Sequence, residues 1–87
     1  SEVYFNKAPD GVYYTQRDGY IYAITEKFPS KETVFDAIDY KDDYEIILLG
    51  SDARVIAENR DGKLGLRADI CDPADIASEH LYVFRVK

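Results

Sequence analysis

Two Asp-Gly pairs, Asp18-Gly19 and Asp61-Gly62, each sit between runs rich in β-branched and aromatic residues, and this constrains the fold more than any other feature of the chain. Asp-Gly accepts the positive φ angles that a tight hairpin turn requires. The first hairpin joins residues 12–16 to 20–25 through Arg17-Asp18-Gly19, and the second joins residues 54–58 to 64–68 through residues 59–63. The repeated Arg-Asp-Gly is turn chemistry and not the integrin-binding order of residues.

Further short runs complete the pattern. Residues 32–36 and 44–49 read as strands separated by the polar Asp39-Tyr40-Lys41-Asp42-Asp43 loop, and residues 80–87 form a last strand. The stretch before that strand, around Cys71-Asp72-Pro73-Ala74-Asp75, is irregular, because Pro73 has no N–H for a central ladder. Residues 75–79 are read as loop, since a single helical turn is marginal on its own. Turn residues recurring every eight to twelve positions favour an all-β fold, an antiparallel β-sandwich of about seven to eight short strands with a Greek-key-like arrangement. Residues 11–87 form the sandwich domain, and residues 1–10 are either an edge strand or a linker from an upstream domain.

With 87 residues the chain has room for one core. Its 46% hydrophobic and 32% charged residues, with eight Tyr and four Phe, are a globular balance. The net charge of −6 and the absence of a basic stripe argue against nucleic acid and anionic membrane as partners. The longest apolar run, Ile46-Ile47-Leu48-Leu49, is far short of the roughly 20 residues a bilayer span needs. Cys71, the one cysteine, cannot form an internal disulfide.

Catalytic constellations are not evident. His80 is alone at the start of a strand and reads as structural or solvent-exposed, and no triad, metal motif or cofactor motif accompanies it. Asp69, Asp72 and Asp75 recur every three residues and could hold calcium loosely, but the spacing fits no EF-hand loop, and a solvated turn is the better reading. Tyr13, Tyr20, Tyr22 and Tyr40 are candidates for stacking on a sugar ring. The competing reading is packing: Tyr20, Tyr22 and Ile24 share one strand face by alternation, while Ile21, Ala23 and Thr25 share the other, so some of these rings belong to the core.

The last strand is apolar on both faces. Tyr82, Phe84 and Val86 suit the core, yet Leu81 and Val83 on the opposite face are apolar too, and residues 44–49 behave alike. An antiparallel sandwich that stands alone usually turns a polar face to water, so two apolar faces suggest cover by a neighbouring domain. Leu81 and Val83 are the candidate interdomain residues.

In order along the chain, Tyr13-Tyr14-Thr15 with Asp18-Gly19 and Tyr22-Ala23-Ile24, then Ile47-Leu48-Leu49-Gly50-Ser51, then Asp61-Gly62-Lys63-Leu64, then residues 80–86 resemble the C-terminal β-sandwich of α-L-fucosidases. The resemblance covers residues 11–87. It implies a non-catalytic accessory domain that stabilises and packs against an upstream catalytic barrel of the same polypeptide, which holds the catalytic carboxylates. It also implies a periplasmic, secreted or lysosomal setting and a fucosylated glycan as the parent's substrate class. The alternative is an independent carbohydrate-binding module. In neither reading is the chain an enzyme by itself.

Overall fold

Strand alternation and two Asp-Gly turns build two antiparallel sheets packed face to face, an all-β sandwich. The computed structural model describes the backbone of Val3 and Tyr4 and all of residues 11–87. Its strands are β1 (Val3–Tyr4), β2 (Val12–Arg17), β3 (Tyr20–Thr25), β4 (Thr33–Asp39), β5 (Ile46–Leu48), β6 (Val55–Arg60), β7 (Lys63–Ala68) and β8 (Tyr82–Val86). The first sheet has the order β1-β2-β3-β8-β5 and the second β4-β7-β6. The chain changes sheet at β3–β4, β4–β5, β5–β6 and β7–β8, so β8 is inserted between β3 and β5 as in a Greek key. The other residues of the segment 1–10 lie outside the described residues.

Both hairpins close more tightly than the sequence suggests. Arg17 pairs with Tyr20 and Arg60 with Lys63, which leaves only the Asp-Gly pair in each loop. Asp18 and Gly19 have φ of 53° and 83°, and Asp61 and Gly62 have 53° and 87°, the signature of type I′ turns whose twist matches that of the flanking strands. In the second turn the Asn59 side-chain oxygen accepts the Gly62 N–H at 2.7 Å.

The core sits where the two inner faces meet. Val12 and Tyr14 of β2, Ala23 of β3, Tyr82, Phe84 and Val86 of β8, and Leu48 of β5 face Phe35 and Ile38 of β4 and Leu64, Leu66 and Ala68 of β7. Phe35 meets Phe84 edge to face with ring centroids 6.0 Å apart, and Tyr14 meets Phe35 in the same manner at 6.0 Å. Polar groups in this layer find partners across it. The hydroxyls of Thr25 and Thr33 share a buried hydrogen bond of 3.2 Å between β3 and β4, and Thr25 Oγ1 also accepts the Lys27 N–H at 3.0 Å.

The register of β4 on β7 shifts between Phe35 and Asp39, a bulge that lengthens β4 beyond the expected residues 32–36. Tyr14, reaching over from the first sheet, accepts the Ala37 N–H through its hydroxyl at 3.4 Å, and burial raises the pKa of that phenol. The irregular stretch before β8 holds a 3₁₀ turn at Pro73–Asp75, and residues 76–79 are loop, as expected. The Asp72 carboxylate caps the 3₁₀ turn by accepting the Ala74 N–H at 2.9 Å, and Pro73 takes the first turn, where no N–H is needed.

A domain of this length has roughly 4–13 kcal/mol of stability. Phe84 is fully buried and meets Phe35 across the two sheets. The substitution Phe84→Ala is therefore expected to cost about 3–5 kcal/mol and to move the urea midpoint down sharply with little change in slope; an unchanged midpoint would show that the two sheets do not meet at this ring.

Candidate functional site

The two outer faces of the sandwich differ, and that difference defines the candidate site. On the second sheet the outward residues of β6 and β7 include Ile56, Glu58, Arg60, Gly65 and Arg67, with Val34 on β4. The Glu32 carboxylate spans this face to Arg60, accepting from Nε at 2.8 Å and from Nη2 at 2.9 Å. Gly65 lies directly beneath: a Cβ there would come within 2.9 Å of the Glu32 carboxylate and 3.1 Å of Arg60 Cγ. At the far end Lys63 Nζ donates to Asp39 at 2.8 Å. Ion pairs of this kind keep a sheet face wetted and suited to solvent.

The hydrogen bonds from Arg60 hold the Glu32 carboxyl below the usual carboxylate range. A depressed carboxyl pKa contributes stability above its unfolded value near pH 4, which is lost as pH falls from there through the lower folded value. Denaturation followed between about pH 6 and pH 2 should therefore show a stability loss that Glu32→Gln reduces. An identical pH profile for the variant would remove Glu32 from the account.

On the first sheet the outer face is arranged in rows set by strand register. One row runs Tyr13–Ile24–Val83, and Leu49 extends it through the hydrogen bond from its N–H to Val83 O at 2.9 Å. The next runs Thr15–Tyr22–Arg85–Ile47. Beyond it are Arg17 and Tyr20, paired across the hairpin, with Lys87 approaching the Tyr20 ring. The first row is apolar, and Leu81 adds to that end of the sheet as an exposed residue at 46%, while Ile47 is exposed at 43%. No ion pair among the described residues lies across these apolar positions.

Away from Leu81, in the row that holds Ile47 and in the one beyond it, charge gathers on aromatic rings. The Arg85 guanidinium lies 4.5 Å from the Tyr20 ring centroid and Lys87 Nζ 5.3 Å from the same ring, while Tyr20 and Tyr22 are 6.3 Å apart. A depression of about 230 Å³ beside them is lined by Thr15, Arg17, Tyr22 and Ile24.

The tyrosines singled out in the sequence thus part company. Tyr20 and Tyr22 come together at the cationic end, and Tyr13 belongs to the apolar row, where its hydroxyl donates to Glu26 at 3.2 Å. Tyr40 is elsewhere: it follows β4, takes a backbone hydrogen bond from its N–H to Gly62 O at 2.9 Å, and packs against the core. Val83 is half-buried beside Ile24, and Leu81 is exposed one residue before β8, which is shorter than the expected strand 80–87, so neither belongs to the sandwich core. Sequence reasoning overlooked Arg85 and Lys87, although they share the parity of Val83 in the last strand.

Outside this face, Asp52, Asp69 and Asp75 line a depression of about 440 Å³ together with Cys71, which is exposed. Among the described residues no group of acidic, His or Cys side chains is placed to hold a metal ion, and Asp72 is occupied in capping the 3₁₀ turn. His80 is solvent-exposed, with Glu79 3.9 Å away. Among the described residues no helix is long and apolar enough to cross a membrane.

Comparison with models of known protein families, with curated proteins and with solved structures gives no match.

Because Ile47 and Leu81 make little contact with the core, replacing both with Lys is expected to change the stability of the 87-residue chain by no more than about 1 kcal/mol. Chemical denaturation of the double variant checks this, and a loss comparable with that of a core truncation would place the two side chains inside.

Proposed function

We propose that this chain is a non-catalytic accessory domain that packs the outer face of its first sheet against a catalytic barrel upstream in the same polypeptide, the parent being an α-L-fucosidase-like glycosidase. The observation that carries the reading is the unequal treatment of the two outer faces. The second sheet carries the ion pairs Glu32–Arg60 and Lys63–Asp39 beside Val34 and Ile56, whereas the first leaves Ile47 and Leu81 exposed beside Val83, Leu49 and Ile24 with no ion pair among the described residues across them. An exposed apolar patch costs free energy in water, and burying it against a second domain recovers about 25 cal/mol per Å². The glycosidase parent is supported by the order of the hairpin and strand segments from Tyr13 to Val86.

In such an arrangement the barrel supplies the carboxylates that cleave the glycosidic bond, and the sandwich stabilises and positions the barrel. The native polypeptide, measured by intact mass in its source, should exceed this chain by a barrel of about 250 residues or more. The longer product should hydrolyse an aryl fucoside while the 87-residue chain does not. A native product no longer than this chain would rule the reading out.

A further inference from the structure

We propose that the Tyr20, Tyr22, Arg85 and Lys87 cluster, with the depression beside it, binds an acidic sugar, a pyranose ring carrying a carboxylate or a sulfate. The site goes beyond the docking role: it centres on Tyr20, Arg85 and Lys87, towards the end of the face away from Leu81 and Leu49, and borders the docking surface at Ile24 and Ile47.

The first argument is charge. In a chain of net charge −6, two cations converge on one ring: Arg85 at 4.5 Å and Lys87 at 5.3 Å from the Tyr20 centroid. Like charges gathered on one ring repel, and among the described residues neither forms an ion pair. Glu45 exchanges both backbone hydrogen bonds with Lys87, each 3.0 Å, yet its carboxylate makes no ion pair with that lysine. The ring faces offset part of the repulsion, and an anion placed between Arg85 and Lys87 would offset the rest.

The second argument is the depression. Thr15 Oγ1 is buried there without a hydrogen-bond partner among the described residues, and Thr15 lines the cavity of about 230 Å³ with Arg17, Tyr22 and Ile24. A buried hydroxyl without a partner is destabilising, so it favours a ligand that brings a hydroxyl of its own. Tyr22 belongs to both the depression and the cation cluster, 6.3 Å from Tyr20, and supplies an aromatic surface between the orphan hydroxyl and the positive charge. Hydroxyls, a ring with an apolar C–H face and a negative charge occur together in an acidic pyranose. A neutral sugar such as fucose would leave Arg85 and Lys87 unanswered, and a bare anion would leave Thr15 and Tyr22 unused.

The test is a titration of the isotopically labelled 87-residue chain, followed by backbone amide shifts, with glucuronic acid, glucose 6-sulfate, neutral glucose and inorganic sulfate as separate probes. Glucuronic acid, glucose 6-sulfate or both should shift Thr15, Tyr20, Tyr22, Arg85 and Lys87, and which of them binds tighter identifies the acidic group. Glucose and inorganic sulfate should each bind at least about tenfold more weakly, and added salt should weaken the acidic sugar. Arg85→Gln should reduce acidic-sugar affinity about tenfold while the remaining amide spectrum stays native, and Lys87→Gln should reduce it in the same direction. Saturation by inorganic sulfate at equal concentration, equal binding of neutral glucose, unaltered affinity in both variants, or no shift at these residues with either acidic sugar would each overturn the proposal. Loss of binding in the native longer polypeptide alone would mean that the docked partner covers the site, which separates this result from a failure of the docking reading.

Discussion

The edge-to-face contact of Phe84 with Phe35 joins the two sheets, and the rest of the structure depends on the register it imposes. Phe84 pairs with Ala23 on one side and Leu48 on the other, so β8 is fixed between β3 and β5 with Tyr82, Phe84 and Val86 turned inward. Because a strand has a period of two, the same choice turns Val83, Arg85 and Lys87 outward. A slip of one residue would bury Arg85 and expose Phe84. The apolar row and the cationic cluster on the outer face are therefore consequences of one packing decision in the core.

Polar groups follow the same logic. The bulge in β4 withdraws Ala37 from the ladder with β7, and Tyr14 reaches from the first sheet to accept its N–H. Thr25 and Thr33 satisfy each other where β3 and β4 face across the core. Each of these contacts joins the two sheets directly, which ties the placement of β2 and β3, and hence of Tyr13 and Tyr22 on their outer sides, to the position of β4. Thr15 Oγ1 stands apart as a buried hydroxyl without such a partner among the described residues, and it lies on the outward face.

Much of this was legible in the sequence. The two Asp-Gly pairs gave the hairpins, and alternation in residues 20–25 separated Tyr20, Tyr22 and Ile24 from Ala23 and Thr25, as the structure has them. The apolar character of Leu81 and Val83 opposite Phe84 pointed to the outer face. The β4 bulge was not legible, because Phe35-Asp36-Ala37-Ile38 has no period that reveals an extra residue until Tyr14 is known to lie across from it. Tyr40 looked equivalent to the other tyrosines only because local sequence does not tell a ring that closes the end of a core from one displayed on a sheet. Arg85 and Lys87 went unnoticed for a related reason: two isolated cations in an acidic chain carry no motif, and their convergence on Tyr20 exists only after β8 pairs with β3.

The central claim is that the apolar outer face of the first sheet is covered in the native polypeptide. Radical or carbene footprinting compares the side chains of that polypeptide with those of the isolated 87-residue chain, with Val34 on the opposite sheet, exposed at 38%, as the internal reference. The account predicts that labelling of Leu81, Ile47, Leu49 and Val83 falls several-fold in the native polypeptide while Val34 is unchanged. Equal labelling of both faces in the two samples would contradict it.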